Sequence, residues 1–228
     1  MNIYGERMPN SSPRRLPRGR YALSREEVER IQRSRLCAAM AEVMAEKGYV
    51  ATSVADVLQR SGVSRQSFYQ LFEDKLDCFM AAFDVAADLL LQHLLEMVGA
   101  DEHRMPGPDA IDDPLGGFER AFTAYLAALA IELPYTRLFL IEVYAAGPAA
   151  MRRRSELQDA ITAVFADLMG VTDDAGRFTC QMVVAATSTL VTRAVAENDV
   201  EGLSALGPRV IAHVRTLWHA GAFGTIVE

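Results

Sequence analysis

The chain offers little for metal, redox or covalent chemistry. It has three cysteines, Cys37, Cys78 and Cys180, an odd and scattered set without the spacing of a disulfide framework or a zinc site. In their apolar helical surroundings they read as buried free thiols. The four histidines, His93, His103, His213 and His219, form no H-x3-H or HExxH arrangement. There is no G-x-S-x-G, no phosphate-cradling glycine loop, no Cys–His neighbourhood and no clearly spaced pair of carboxylates, so catalytic machinery is missing. Neither a metal nor a cofactor is expected. No apolar run is expected to reach the ~18–20 residues of a membrane span. The N-terminus has charges and prolines where a secretory leader would be apolar. A cytoplasmic protein with no membrane partner is the resulting expectation. Alternating β-type patterning is also absent beyond a few residues.

What remains is helical period along almost the whole chain. Residues 1–23, with Pro9, Pro13, Pro17 and Arg14, Arg15, Arg18 and Arg20, lack that period and read as a flexible basic arm, either lying along DNA or merely solubilising. Nine helices are predicted after it. The first spans 24–47, opened by a Ser24/Glu27 capping box and stopped by Gly48. Short helices follow at 53–60 and 65–71, the first opened by Ser53 with Asp56, the second by Ser64, with Gly62 in the turn between them. A long helix capped by Asp74 runs from 75 to 98. The prolines and glycines of 99–116 read as a loop. Further helices are expected at 117–132, 135–146, 148–169, 174–197 and 203–220. The fold class is therefore all-α.

Charge is unevenly distributed. The net charge is −7, yet residues 1–75 carry 13 Lys/Arg against 9 Asp/Glu (net +4), and residues 76–228 carry 10 against 21 (net −11). A basic head on an acidic body is the asymmetry expected when only one end meets phosphate.

The head also contains the most informative segment, residues 53–72. Val54, Val57 and Leu58 give the second helix a buried face at i, i+3 and i+4. Val63, Phe68 and Phe72 anchor the third helix, leaving Ser64, Arg65, Gln66, Ser67, Tyr69 and Gln70 outward. Arg matches the acceptor edge of guanine and Gln the edge of adenine, while hydroxyls suit phosphate oxygens. Lys75, at the start of the fourth helix, can add a charge-assisted phosphate bond. The same pattern also describes an ordinary helical hairpin with a solvated face.

The residues Gly48-Tyr49, Thr52-Ser53-Val54, Asp56-Val57, Gly62-Val63-Ser64, Ser67-Phe68-Tyr69, Phe72 and Lys75 resemble the N-terminal domain of the TetR family of bacterial regulators. The resemblance implies a nine-helix architecture: an arm at 1–23, a helix-turn-helix domain at 24–74, and an effector-binding and dimerisation domain at 75–228. It implies Thr52, Ser64, Tyr69 and Lys75 as backbone contacts and Arg65, Gln66 and Gln70 as base readers, with Ser67 keeping the hydroxyl of the usual threonine. Leu71 stands where the family has a polar phosphate-contacting residue. The implied function is a ligand-responsive DNA-binding regulator, by default a repressor that holds a palindromic operator as a homodimer and is released by an unknown small-molecule effector. The alternative is an all-α ligand-binding or adaptor protein that no longer binds DNA.

For the acidic body the sequence offers candidates. Helices within 174–220 are the dimerisation candidates, with Met182, Ala185, Ala186, Thr189 and Val195 on one and Leu206, Val210, Val214, Leu217 and Trp218 on the other. The alternative places these faces in the protomer's own core. Phe79, Phe83, Phe122, Tyr125, Phe139 and Tyr144 recur at helical spacing and are the candidate effector-binding residues, although such a stripe is more often plain core. Glu132, Arg137 and Glu142 interrupt apolar helices, either to orient a ligand or on solvated faces. Arg152-Arg153-Arg154 reads as a surface cluster.

Overall fold

The computed structural model describes residues 24–97, 113–131 and 133–224, with the side chains of 93–95, 97 and 133 outside that description. The basic arm, most of the 99–116 segment and Glu132 therefore lie outside the described residues. Among those described there are nine helical segments and no strand. They group into two compact units, Met1–Ala82 and Phe83–Glu228.

In the first unit, helix α1 spans Arg25–Ala51 and opens with the expected capping box. The Ser24 hydroxyl accepts from the Glu27 amide at 3.1 Å, and the Glu27 carboxylate accepts from the Ser24 amide at 2.8 Å, satisfying two of the amides that every helix start leaves orphaned. Gly48 breaks the helix as anticipated, at φ 77° and ψ 164°, a conformation that a side chain disfavours. The chain then makes one more turn, closed by the Thr52 amide donating to the Tyr49 carbonyl.

Helix α2 (Val54–Ser61) ends in left-handed Gly62, at φ 66° and ψ 19°, which lets the chain reverse within three residues into α3 (Arg65–Leu71). Helix α4 (Lys75–Met97) starts at Asp74, whose carboxylate accepts from the Asp77 amide at 2.9 Å. The core of this unit is Leu36, Met40 and Met44 from α1, Val57 from α2, Phe68 from α3, and Phe79 from α4, all at most 1% exposed. Burying each such side chain contributes roughly 1.5–3 kcal/mol, enough to hold short helices that would not persist alone.

The division between the units falls inside α4. Its first two turns belong with α1: Cys78 is fully buried with its Sγ 4.0 Å from the Leu36 carbonyl, and the Phe79 ring meets the Tyr49 ring edge-on at 5.3 Å.

The second unit contains α5 (Pro114–Ile131) and a broken helix α6. The latter begins as Leu133–Arg137, widens into a π turn over Leu138–Glu142 and ends as Val143–Ala146. Then come α7 (Pro148–Leu168), α8 (Asp174–Ala196) and α9 (Val200–His219). Helix α5 starts earlier than the 117 expected. Asp113 caps it by accepting from the Gly116 amide at 2.9 Å, so Pro114 and Gly116 belong to the helix.

Helix α8 also modifies the reading of apolar runs. By length and composition it is apolar enough to cross a membrane, with 22% of that stretch buried. Its exposed apolar side chains include Phe178 at 60% and Met182 at 58%.

Candidate nucleic-acid interface and effector cavity

The local chemistry of residues 53–72 explains how α3 is presented. The Ser53 hydroxyl accepts from the Asp56 amide at 3.3 Å, and the Asp56 carboxylate accepts from the Ser53 amide at 2.8 Å. Asp56 also pairs with Lys47 at 2.7 Å. The Lys47 ammonium, and then the Ser53 hydroxyl and amide, hold its carboxyl well below the usual carboxylate range. Arg60 reaches back from α2 to Glu46 at 2.6 Å and Glu42 at 3.1 Å on α1. These carboxylates, Glu46 foremost, raise the guanidinium's affinity for its proton.

Helix α3 is seated through Phe68, fully buried, whose ring is met edge-on by Tyr69 at 5.3 Å and at a tilt by Phe72 at 5.6 Å. Around this anchor, Ser64, Arg65, Gln66 and Gln70 are exposed, and Tyr69 is 52% exposed. Ser64 caps α3 by accepting from the Ser67 amide at 3.0 Å, and the two serine hydroxyls lie 3.0 Å apart. The described geometry thus brings Ser64, Arg65, Gln66, Ser67, Tyr69 and Gln70 together on one short helix.

Two other sequence candidates are placed differently. Thr52 is 3% exposed and donates its hydroxyl to the Gly48 carbonyl at 2.7 Å. That hydroxyl repairs the helix end at Gly48 and does not stand on the surface. The Lys75 ammonium donates to the Tyr49 carbonyl at 2.9 Å and the Thr52 carbonyl at 3.0 Å, and lies 4.0 Å from the centre of the Tyr49 ring. Its charge meets two carbonyls at the broken helix end.

One residue escaped sequence reasoning. Arg33 on α1 lies 4.7 Å from the centre of the Phe72 ring, and its guanidinium donates to the Leu71 carbonyl at 3.4 Å. A cation therefore stands beside the position where Leu71 lacks a polar side chain. Only the fold brings residues this far apart in sequence together, so no local pattern could have signalled it.

In the second unit the helices line a partly open cavity of about 120 Å³. Phe122, Tyr125 and Phe139 are on its wall, with Phe118, Phe165 and Leu140 among their apolar neighbours. The π turn supplies Phe139 and Leu140. Three expected lining residues are elsewhere. Phe79 belongs to the core of the first unit beside Tyr49. Phe83 is fully buried but is not on this wall. Tyr144 is 51% exposed, just ahead of the turn at Gly147. Arg137 is not on the wall either: it donates to the Val195 carbonyl and the Asn198 side chain, both at 3.2 Å, closing the end of α8. Glu142 is buried away from the wall.

The three consecutive arginines separate. Arg152 is exposed, Arg153 pairs with Asp84 at 2.6 Å and Glu156 at 3.0 Å, and Arg154 lies on the cavity wall. They do not form a surface cluster.

Residues 36–82 match the profile of bacterial regulatory proteins of the tetR family. No curated protein matches the chain by sequence. Among solved structures, a transcriptional regulator from Rhodococcus sp. Rha1 superposes with a TM-score of 0.63 at 22% identity, covering 85% of this chain and 98% of its own. A putative TetR-family regulator from Syntrophomonas wolfei gives 0.62 at 16% identity, covering 87% and 98%. A TetR-family regulator from Pectobacterium atrosepticum gives 0.56 at 20% identity, covering 86% and 95%. At these identities the structures establish the fold, and the matched segment contains the capped helix pair described above. Residues 36–82 are thus similar to the tetR family of bacterial regulatory proteins, and the chain shares the fold of these solved regulators.

Proposed function

We propose that this chain is a ligand-responsive, cytoplasmic transcriptional regulator that binds a palindromic operator as a homodimer, each protomer placing α3 in a major groove. The observation that carries the reading is the exposed face of α3, where Arg65, Gln66 and Gln70 surround a helix fixed by buried Phe68. In this reading those three side chains meet base edges. Ser64, Ser67 and Tyr69 meet phosphate, and Arg33 supplies a cation where Leu71 has none. Thr52 and Lys75 act one step back, holding the turn that sets the entry to α2.

Two recognition helices must stand ~34–36 Å apart to meet successive grooves, so a two-fold assembly is a requirement of the mechanism. Helix α8 supports it. Phe178, Met182, Ala185, Ala186 and Thr189 form an exposed stripe at helical spacing, and a groove of about 510 Å³ between α8 and α9, lined by apolar residues with Arg193, Arg209 and His213, continues it. Leu206, Val214 and Val195, candidates for the same interface, are buried within the protomer, so the proposed dimer face is centred on α8. The cavity of the second unit is the proposed effector site, and its occupation would release the operator and relieve repression.

The test is a fluorescence-anisotropy titration with DNA flanking the protein's own coding region. Arg65→Ala should lower affinity by ~1–3 kcal/mol and relax preference at one base position. An equal loss on operator and random DNA would assign Arg65 to phosphate. No binding at low salt to any flanking palindrome would reject the regulator reading.

A further inference from the structure

Among the described residues of the second unit, Arg154 is the one of formal charge on the wall of the cavity, which is otherwise apolar apart from Tyr125, Gln158, Thr187 and Ser188. No described Asp or Glu lines it. A guanidinium charge in an apolar wall requires compensation. The neighbouring Arg153 obtains it from two carboxylates. Arg154 forms no ion pair among the described residues. It donates to neutral oxygens, Gln158 Oε1 at 3.1 Å and Ser188 Oγ at 2.9 Å, and its guanidinium lies 5.3 Å from the centre of the Tyr144 ring. Its Nε is sealed from solvent and has no protein acceptor. Of the five N–H groups a guanidinium carries, these bonds leave the Nε–H and others free.

We propose that the cavity takes a small aromatic monocarboxylate, its carboxylate gripped by Arg154 and its ring packed among Phe118, Phe122 and Phe139. The proposal rests on reading this cavity as the effector site. Three considerations fix the ligand class. A planar fork matches a carboxylate in bidentate fashion. A single cation, with no Lys or second Arg among the described wall residues, balances one negative charge, which disfavours a phosphate ester. The volume is close to that of an engineered apolar cavity, roughly 150 Å³, that accepts benzene, so one ring with its acid group fills it. Phe118 and Phe122 stack within 8° of parallel at 5.5 Å between centroids, and Phe165 meets Phe118 at a tilt at 5.0 Å, so the wall is built from contacting rings. Tyr125 adds a phenol whose burial pushes its acidity far from neutral pH, so it remains an O–H donor and does not compete as an anion.

The experiment is calorimetric titration of the full chain with benzoate, phenylacetate, benzamide and benzylamine, paired with operator-DNA anisotropy in the presence of each. Benzoate or phenylacetate should bind with saturation, benzamide about 10- to 100-fold more weakly, and benzylamine not at all, as expected for losing or opposing a charge-assisted bond. Arg154→Gln should make benzoate and benzamide equivalent, and retained benzamide binding in that variant shows an intact cavity. Arg154→Lys, which keeps the charge without the fork, should recover part of the preference. Benzamide equal to benzoate in the unaltered protein, benzoate binding indifferent to Arg154→Gln, or no saturation by either acid up to about 10 mM (a binding free energy weaker than about −3 kcal/mol) would overturn the assignment. The DNA arm separates the two readings. Benzoate binding that leaves operator affinity unchanged supports the carboxylate site and removes its effector role. Release of DNA by benzamide alone, with no acid bound, does the reverse.

Discussion

Replacing Lys75 by methionine separates two roles that the sequence cannot distinguish. If the ammonium holds the end of α1, the substitution loosens the first unit; if it binds phosphate, the substitution leaves folding intact and weakens DNA binding. The structure allows the first effect to be sized. Lys75 donates two hydrogen bonds, at 2.9 and 3.0 Å, to the Tyr49 and Thr52 carbonyls. Bonds from a charged donor contribute about 1.5–3 kcal/mol each when buried, and the ammonium over the Tyr49 ring adds about 0.5–1 kcal/mol. Lys75 is only half-buried, so water can reach the vacated carbonyls and the methionine stem keeps much of the packing. The discounted expectation is about 2 kcal/mol, equivalent to roughly 30-fold in an opening equilibrium.

The assay must report on the first unit. The chain's one tryptophan, Trp218, is in the second, so its fluorescence would not register the loss. Hydrogen exchange read by mass spectrometry on peptides from 36–72 does. In Lys75→Met, amides of α1 to α3 should exchange about 30-fold faster, while peptides from α7 to α9 keep their rates. The salt dependence of operator binding should keep its slope. Unchanged exchange together with a slope shallower by about 0.9 per protomer would refute the capping role and return Lys75 to phosphate.

The remaining predictions concern the dimer face and pH. Phe178→Asp combined with Met182→Asp places charge on the exposed stripe of α8, and sedimentation should show monomers with operator affinity falling at least tenfold (about 1.4 kcal/mol); a persistent dimer would move the interface elsewhere. Cys180 is buried and its thiol is pushed up to about 12 by desolvation. A thiol raised in the fold adds stability below its unfolded pKa of about 8.5. That contribution falls as pH rises from there toward 12, so Cys180→Ala should flatten the alkaline loss of stability, and native protein should resist disulfide-reagent labelling at pH 8. Asp56 behaves oppositely. Its depressed carboxyl contributes stability above the unfolded value, and that stability is lost as acid protonates it. Acid unfolding monitored by circular dichroism should therefore begin at higher pH in Lys47→Met, which removes the first cause of the depression.

The first unit was legible in the sequence because its signals are local. Ser24 with Glu27, Ser53 with Asp56, Ser64, Gly48 and Gly62 each set a boundary within four residues, and the buried faces of α2 and α3 repeat at helical spacing. Signals of the same kind misled at 114–116, where Pro114 and Gly116 suggested a loop. Proline is at home in the first turn of a helix, and Asp113 caps this one. Gly117 meets a different need: a Cβ there would stand 2.9 Å from Leu168 Cδ1, so the glycine permits close packing of α5 against the end of α7.

The interior of the second unit was much less legible, for a geometric reason. Successive helical residues point about 100° apart, so three adjacent arginines cannot share one environment. Arg152 faces solvent, Arg153 finds Asp84 on α4, and Arg154 meets the cavity. The spacing of the aromatics has the same limit. Phe122 and Tyr125 are three apart on α5 and both line the wall. Phe79 and Phe83 are four apart on α4, at equally good helical spacing, yet neither does. Periodicity specifies which side chains share a face, whereas a cavity depends on what the neighbouring helices leave unfilled. A guanidinium on such a wall is therefore better evidence for a ligand than the aromatic stripe, because the carboxylates that pair with Arg153 do not reach Arg154.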